Sequence, residues 1–87
     1  MNPIQLLIEN RRAERMLVFV EPEAQDFWLD SKEECELVSE SSSATGQFEI
    51  WHTDEGVTVF PGRDVGSISV FQNGIQLECG HKRSQEW

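Results

Sequence analysis

Zinc binding is the first chemistry suggested by the residue types, through two cysteines and two histidines: Cys35, His52, Cys79 and His81. Zinc sites usually take their ligands from closely spaced pairs such as C-x2-4-C. Here only Cys79 and His81 are close in sequence, and strand alternation directs both cysteines towards the core. A free cysteine in a core behaves as a small hydrophobic residue. We therefore predict no metal site on these residues.

Calcium is suggested by the acidic stretch at residues 21–40, which holds eight acids, one lysine and no glycine. The candidate ligands are Asp26, Asp30, Glu33, Glu34 and Glu36. A calcium loop brings its oxygens together within one turn and uses a glycine where the chain bends. Alternation along extended strands instead spreads these carboxylates over a surface. The stretch therefore predicts neither a calcium site nor a bound cofactor.

Catalytic chemistry has little support in the sequence. No nucleophile elbow, phosphate-binding loop or H-E-x-x-H motif is present. His52 and Asp54 are close enough for an imidazole to meet a carboxylate, but they fall in a predicted turn. Cys79, followed by a histidine and two basic residues, is a better nucleophile than Cys35, whose acidic neighbours raise a thiol pKa. We predict a protein without catalytic residues.

The elements that position these residues are short β-type runs separated by turn signals, which is typical of a sandwich or barrel. The runs span residues 4–9, 16–20, 27–29, 35–39, 47–52, 57–60, 67–72 and 75–79. Asn73-Gly74 is the strongest hairpin signal, and the turn ending at Gly56 is a second. A helix in residues 10–19 is less favoured because a β-rich run follows immediately. We predict one all-β domain over residues 1–79, with about eight short antiparallel strands in a small sandwich or flattened barrel, and a flexible polar tail at residues 80–87.

Period-two alternation separates an apolar inner face from an acidic outer face. The predicted core residues are Ile4, Leu6, Ile8, Phe27, Leu29, Cys35, Leu37, Phe48, Ile50, Val57, Val59, Ile68, Val70, Ile75 and Leu77. The predicted outer face carries the candidate binding residues Asp26, Trp28, Asp30, Glu34, Glu36 and Trp51. Its aromatic residues have three possible interpretations: a second buried cluster, an interaction face, or a stacking platform for sugar rings.

Charge limits the possible partners. The net charge of −9 repels phosphate backbones and anionic lipid, so we predict no direct binding to nucleic acid or membrane. The sequence lacks an apolar run of the roughly 18–20 residues that cross a bilayer, and its start does not resemble a signal peptide. We therefore expect a cytoplasmic protein with reduced cysteines, either a monomer or a homodimer.

Several short motifs resemble those of a group of small, uncharacterised bacterial all-β proteins. They are Glu21-Pro22, Phe27-Trp28-Leu29 before a polar turn, Gly56-Val57-Thr58-Val59, and Val70-Phe71-Gln72-Asn73-Gly74. In that group a glycine-containing turn often follows the aromatic strand, whereas Ser31-Lys32-Glu33-Glu34 contains no glycine. The resemblance implies an all-β fold. It transfers no functional residue, because the group has no established activity.

These observations favour a non-enzymatic binding or regulatory module that docks a basic protein through an acidic and aromatic face around Trp28. One alternative is a carbohydrate-binding sandwich that uses Trp28 and Trp51 as stacking platforms. Another is a structural protein that forms a homodimer through its aromatic face.

Overall fold

The computed structural model describes residues 1–83, in which the chain forms eight β-strands and no helix. The strands are β1 (Asn2–Glu9), β2 (Met16–Val20), β3 (Gln25–Leu29), β4 (Glu34–Ser41), β5 (Phe48–His52), β6 (Gly56–Pro61), β7 (Ser69–Gln72) and β8 (Ile75–Gln76). The predicted all-β class is confirmed. A search of the same residues for a helix long and apolar enough to cross a membrane finds none.

The strands form two four-stranded sheets. Sheet A has the order β1-β4-β7-β8, and sheet B has the order β3-β2-β6-β5. All pairs are antiparallel, as predicted, except β2 with β6, which run parallel from Leu17 opposite Gly56 to Val20 opposite Val59. Parallel neighbours need a long crossover connection, and here the chain passes through β3, β4 and β5 between them. Local alternation carries no information about such a pairing.

The core lies between the two sheets. Its buried apolar residues are Met16, Val18, Val20, Phe27, Leu29, Cys35, Leu37, Val57, Val59, Ile68 and Val70. Two residues predicted for the core, Ile50 and Ile75, are instead 39% and 69% exposed. They lie on β5 and β8, the end strands of their sheets. The inner face of an end strand is only partly covered by the opposite sheet, so correct alternation does not ensure burial.

Both predicted hairpins are present. Asn73 and Gly74 take positive φ values of 52° and 78° between β7 and β8, the combination required by a two-residue type I′ turn. In the β5–β6 turn, the Thr53 N–H donates to the Gly56 carbonyl at 2.9 Å. The last strand is shorter than predicted. The Leu77 N–H still donates to the Val70 carbonyl of β7 at 2.8 Å, and the chain then crosses to sheet B.

The connection between β1 and β2 contains a buried polar residue, Asn10, which is fully inaccessible to solvent. Its Nδ2 donates to the Leu29 carbonyl at 3.0 Å and to the Glu14 carbonyl at 2.9 Å. Its Oδ1 accepts from the Arg12 N–H at 2.9 Å. Asn10 therefore holds the connection against the end of β3. The less favoured helix at residues 10–19 does not form, because residues 10–15 make this connection and residues 16–20 form β2.

Part of the predicted tail is attached to sheet B. The Gly80 N–H donates to the Asp26 carbonyl at 2.7 Å, and the Trp28 N–H donates to the His81 carbonyl at 2.9 Å. Phe27 and His81 form a parallel β-bridge. Residues 80–83 therefore cover the outer edge of β3. The rest of the predicted tail, residues 84–87, lies outside the described residues.

Candidate functional site

The candidate binding residues lie in three places rather than on one face. Asp26 and Trp28 are on β3 of sheet B, with Asp30 directly after it, whereas Glu34 and Glu36 are on β4 of sheet A. The sixth candidate, Trp51, is on β5 at the far end of sheet B. The turn after β3 carries the chain from one sheet to the other. Alternation relates the side chains within one strand, but it does not relate the outer faces of two sheets.

Trp28 is half-buried and has partners on both its ring face and its edge. Its indole Nε1 donates to Asp26 Oδ2 at 3.0 Å. The Arg15 guanidinium carbon lies 4.8 Å from the ring centroid, within the range of a cation–π contact. The tryptophan therefore does not form an open platform. A partner or a sugar ring would have to displace Arg15 to stack on it.

The acids around Trp28 pair with cations of the same chain. Arg83 binds the Asp26 carboxylate through two nitrogens, with Nε 2.8 Å from Oδ2. Lys82 Nζ lies 3.1 Å from Asp30 Oδ2 and 2.7 Å from Glu33 Oε2. We call these five residues the β3 clamp. A single exposed ion pair contributes little to stability, but several charges joined in a network contribute more. Here they hold residues 80–83 on β3.

The cations of the clamp lower the pKa of two carboxyls. Hydrogen bonding to Arg83 is the main cause of the low pKa of Asp26, supported by the bond from Trp28 and opposed by partial burial. Hydrogen bonding to Lys82 is the main cause of the low pKa of Glu33. A carboxyl with a lowered pKa in the folded state stabilises the fold above its unfolded-state pKa. That contribution is lost as the pH falls through the folded-state value.

We expect Arg83→Gln to raise the pKa of Asp26 towards the ordinary aspartate range, because the substitution removes the main group that stabilises the carboxylate. The indole N–H resonance of Trp28 reports this titration, since that proton is donated to Asp26. An NMR pH titration of wild type and variant measures the shift. Arg63→Gln is the control, since Arg63 has no ion pair within residues 1–83. An unchanged Asp26 titration in Arg83→Gln would contradict the clamp.

The outer face of sheet A combines exposed acids with apolar side chains. Leu7 on β1, Glu36 on β4 and Phe71 on β7 are register neighbours across three strands. Leu7 is 61% exposed, and Phe71 and Val38 are half-buried. Apolar, acidic and neutral polar residues line a shallow groove of about 430 Å³ here: Gln5, Leu7, Glu34, Cys35, Glu36, Val38, Phe71, Gln72, Asn73 and Gly74.

The acids of this face lack the cations that neutralise the β3 clamp. Glu34, Glu36 and Glu40 are all exposed on β4. None of the three forms an ion pair with another residue in the described part of the chain. We call the outward side chains of Leu7, Glu34, Glu36, Val38, Glu40 and Phe71 the acidic face. It carries concentrated negative charge next to exposed apolar surface.

The outer face of sheet B carries an aromatic pair at its β5 end. The ring centroids of Trp51 and Phe60 are 5.0 Å apart, with the planes tilted by 52°. Trp51 is 62% exposed, whereas Phe60 is half-buried beside it. Trp28 and Trp51 are separated by β2 and β6. At about 4.8 Å between neighbouring strands, they are roughly 14 Å apart across the sheet, so they do not form one platform.

The candidate metal ligands and nucleophiles are dispersed. Cys35 is buried in the core as predicted, and His52 ends β5. Cys79, predicted to point towards the core, is instead exposed beside Asp26, because it lies in the turn after β8 rather than in a strand. His81 lies against β3. Within residues 1–83, no three His, Cys, Asp or Glu residues are grouped so as to hold a metal ion. Burial, assisted by Glu34, raises the pKa of Cys35 to about 12. The sequence indicated both causes, because alternation placed Cys35 in the core and its neighbours in the chain are acidic.

Four residues of the acidic face were not among the sequence-based candidates: Leu7, Val38, Glu40 and Phe71. Alternation already directed each of them outwards, so the signal was present in the sequence. The sequence did not show that these residues are neighbours across strands, because β1, β4 and β7 are far apart in the chain. Their alignment depends on the order of strands in sheet A.

Comparison with known proteins finds no matching family model, no similar curated protein and no similar solved structure. Function therefore has to be inferred from the geometry and charge of the residues described above.

Proposed function

We propose that this protein is a non-enzymatic binding module that takes a basic protein partner on the acidic face of sheet A. The observation that carries the proposal is the combination of carboxylates that have no ion pair within residues 1–83 with the 61% exposed Leu7. Exposed apolar surface rimmed by polar groups is typical of interaction sites. Potentials of opposite sign steer association and exclude partners of the wrong charge.

The location of the docking face differs from the one we inferred from the sequence. The acids nearest Trp28 are engaged by Lys82 and Arg83 within the chain. Glu34 and Glu36 of β4 form no such pairs among residues 1–83. Glu36 also has Leu7 and Phe71 as apolar register neighbours. The acidic face is therefore a better docking surface than the clamp. Both cysteines are free thiols, which supports the proposed cytoplasmic location.

Charge reversal at the centre of the acidic face tests the proposal. We expect Glu36→Lys to reduce the basic protein retained from a cell lysate at low salt by about tenfold, equivalent to about 1.4 kcal/mol. Glu36 lies between Leu7 and Phe71, so the new charge would repel a cationic partner at the middle of the contact. Quantitative mass spectrometry of the retained proteins measures the change, and rising salt should release them from the wild type.

Glu55→Lys is the matched control because it changes the net charge equally but lies in the exposed β5–β6 turn. We expect it to retain the same basic proteins to within twofold. Equal retention by the wild type and both variants would contradict docking on the acidic face. An equal loss in both variants would show that net charge alone governs retention, which also contradicts a local site.

A further inference from the structure

One side of the sandwich, between the edge strands β1 and β5, is open. Leu6 and Ile8 of β1 and Phe48 of β5 pack against the core but are only partly buried. The inward-facing Ile50 of β5 is 39% exposed. In a closed sandwich these inward positions would be covered. We call this region the β1–β5 seam.

Two grooves lie end to end along the seam and share Leu6 and Ile50. One has a volume of about 380 Å³ and reaches Ile8 and Val57. The other has a volume of about 460 Å³ and reaches Ile4 and Phe48. Together they follow the inward side chains of β1 along most of that strand. The exposed apolar surface is thus elongated and parallel to a strand, which is the shape that an extended segment would cover.

The backbone beside the seam has no partner within residues 1–83. β1 is the end strand of sheet A and pairs only with β4. A free strand edge presents unpaired N–H and C=O groups that can accept another strand. Pro3 removes one donor near the start of β1, as is common on edge strands. The strand still has eight residues.

The opposite side of the sandwich shows how the chain itself covers such an edge. Residues 80–83 lie along β3, with backbone hydrogen bonds from Gly80 to Asp26 and from Trp28 to His81. The β3 clamp adds charge pairing between Lys82 or Arg83 and the acids of β3 and its turn. A short basic segment on a strand edge beside acids is therefore an arrangement that this fold already contains. No described segment occupies the equivalent position beside β1.

We propose that β1 accepts an extended segment of a basic protein as an added strand of sheet A, with apolar residues alternating with lysine or arginine. The apolar residues point into the β1–β5 seam and cover Leu6 and Ile50. The basic residues point outwards, lay their stems over Leu7 and bring their charges towards Glu36. Lysine and arginine commonly cover apolar surface in this way while the charged end stays in water. The inference rests on the proposed function and specifies the form of its partner.

Charge selects a basic partner over a second copy of this chain. The outward residues of β1 are Pro3, Gln5, Leu7 and Glu9, so a second β1 strand would bring no cation to the acidic face. Each copy also carries a net charge of −9. Main-chain pairing supplies affinity in strand addition, and the alternate side chains supply specificity.

Synthetic peptides test both parts of the proposal. The probe is a fluorescein-labelled eight-residue peptide that alternates valine and lysine, compared with a shuffled peptide of the same composition and with an alternating valine–serine peptide. Anisotropy measures binding to the folded protein. We expect the alternating basic peptide to bind at least tenfold more tightly than either comparison peptide. We also expect its addition to slow hydrogen exchange of β1 amides.

Variants separate the seam from the acidic face. Ile50→Lys should weaken binding of the alternating peptide at least tenfold, and the milder Ile50→Thr at least threefold. The circular dichroism spectrum of both variants should match that of the wild type. Glu36→Lys should also weaken it, whereas Glu55→Lys should change binding by less than twofold. Equal binding of the shuffled peptide, equal binding of the valine–serine peptide, or no binding at all would overturn the proposal.

Two further outcomes would also overturn strand addition by a basic partner. If Glu36→Lys weakens binding but neither Ile50 variant does, a basic partner docks on the acidic face without adding a strand, and the proposed function stands alone. If sedimentation shows a dimer that Ile50→Lys dissociates, the seam is occupied by a second copy of the chain.

Discussion

Replacing Gly56 with alanine is expected to lower the free energy of unfolding by about 3 kcal/mol or more. Gly56 begins β6 and is buried directly beside Leu17 of the parallel neighbour β2. A Cβ at this position would lie 2.0 Å from the Leu17 carbonyl oxygen and 2.8 Å from its nitrogen. Backbone atoms in the middle of a sheet move only if the strands separate. Chemical denaturation followed by circular dichroism measures the loss.

Gly74→Ala is the matched control for Gly56→Ala. Gly74 has a positive φ of 78°, but a Cβ there would have no atom within 4 Å. We expect a cost of only about 1–2 kcal/mol from the left-handed backbone. A loss in Gly56→Ala no larger than the loss in Gly74→Ala would contradict the close approach of β6 to β2.

The consequence of Gly56→Ala for binding follows from the position of β6. This strand holds β5 in sheet B, and β5 supplies Ile50 to the β1–β5 seam. Separation of β2 from β6 would displace Ile50 from Leu6. We therefore expect any population of Gly56→Ala that remains folded to bind the alternating basic peptide more weakly than the wild type.

Asn10→Ala is expected to lower the free energy of unfolding by about 2–3 kcal/mol. The Asn10 side chain makes three hydrogen bonds, to the Leu29 and Glu14 carbonyls and from the Arg12 N–H. Each intramolecular hydrogen bond contributes about 0.5–1.5 kcal/mol net, and a buried group left without a partner costs more. Urea denaturation measures the difference from the wild type.

Asn2→Ala removes the same side chain from an exposed position and is the control for Asn10→Ala. Asn2 makes one side-chain hydrogen bond, from Nδ2 to the Ser41 carbonyl at 3.2 Å. We expect its loss to change stability by about 0.5 kcal/mol or less. If the two variants were equally stable, the buried network around Asn10 would not hold the β1–β2 connection.

Strand positions were largely predictable from the sequence because they depend on local patterns. Residues 16–20 are apolar throughout and include two valines and a phenylalanine, which favour strands, and β2 has these same bounds. Asn73-Gly74 forms the predicted turn because few other dipeptides adopt two successive positive φ values at low cost. Phe27, Leu29, Cys35 and Leu37 are buried in the core, as predicted. Alternation within one strand assigns these side chains without knowledge of the neighbouring strands.

The composition of the binding surfaces was not predictable in the same way. The acids at residues 26–36 form one continuous stretch in the sequence, yet the turn at residues 30–33 divides them between two sheets. Lys82 and Arg83 are more than 45 residues from the acids they pair with. No local pattern indicates that a short basic segment near the end of the chain returns to the edge of β3.

Local sequence accounts for the all-β class, the approximate strands, the inward and outward residues of each strand, and the excess of negative charge. These properties follow from backbone geometry and side-chain type over a few residues. The packed fold determines which acids are neutralised, which strands are neighbours and which side of the sandwich is open. Each of these depends on strand order, which is determined by packing between segments far apart in the chain. The acidic face and the β1–β5 seam are therefore products of the fold.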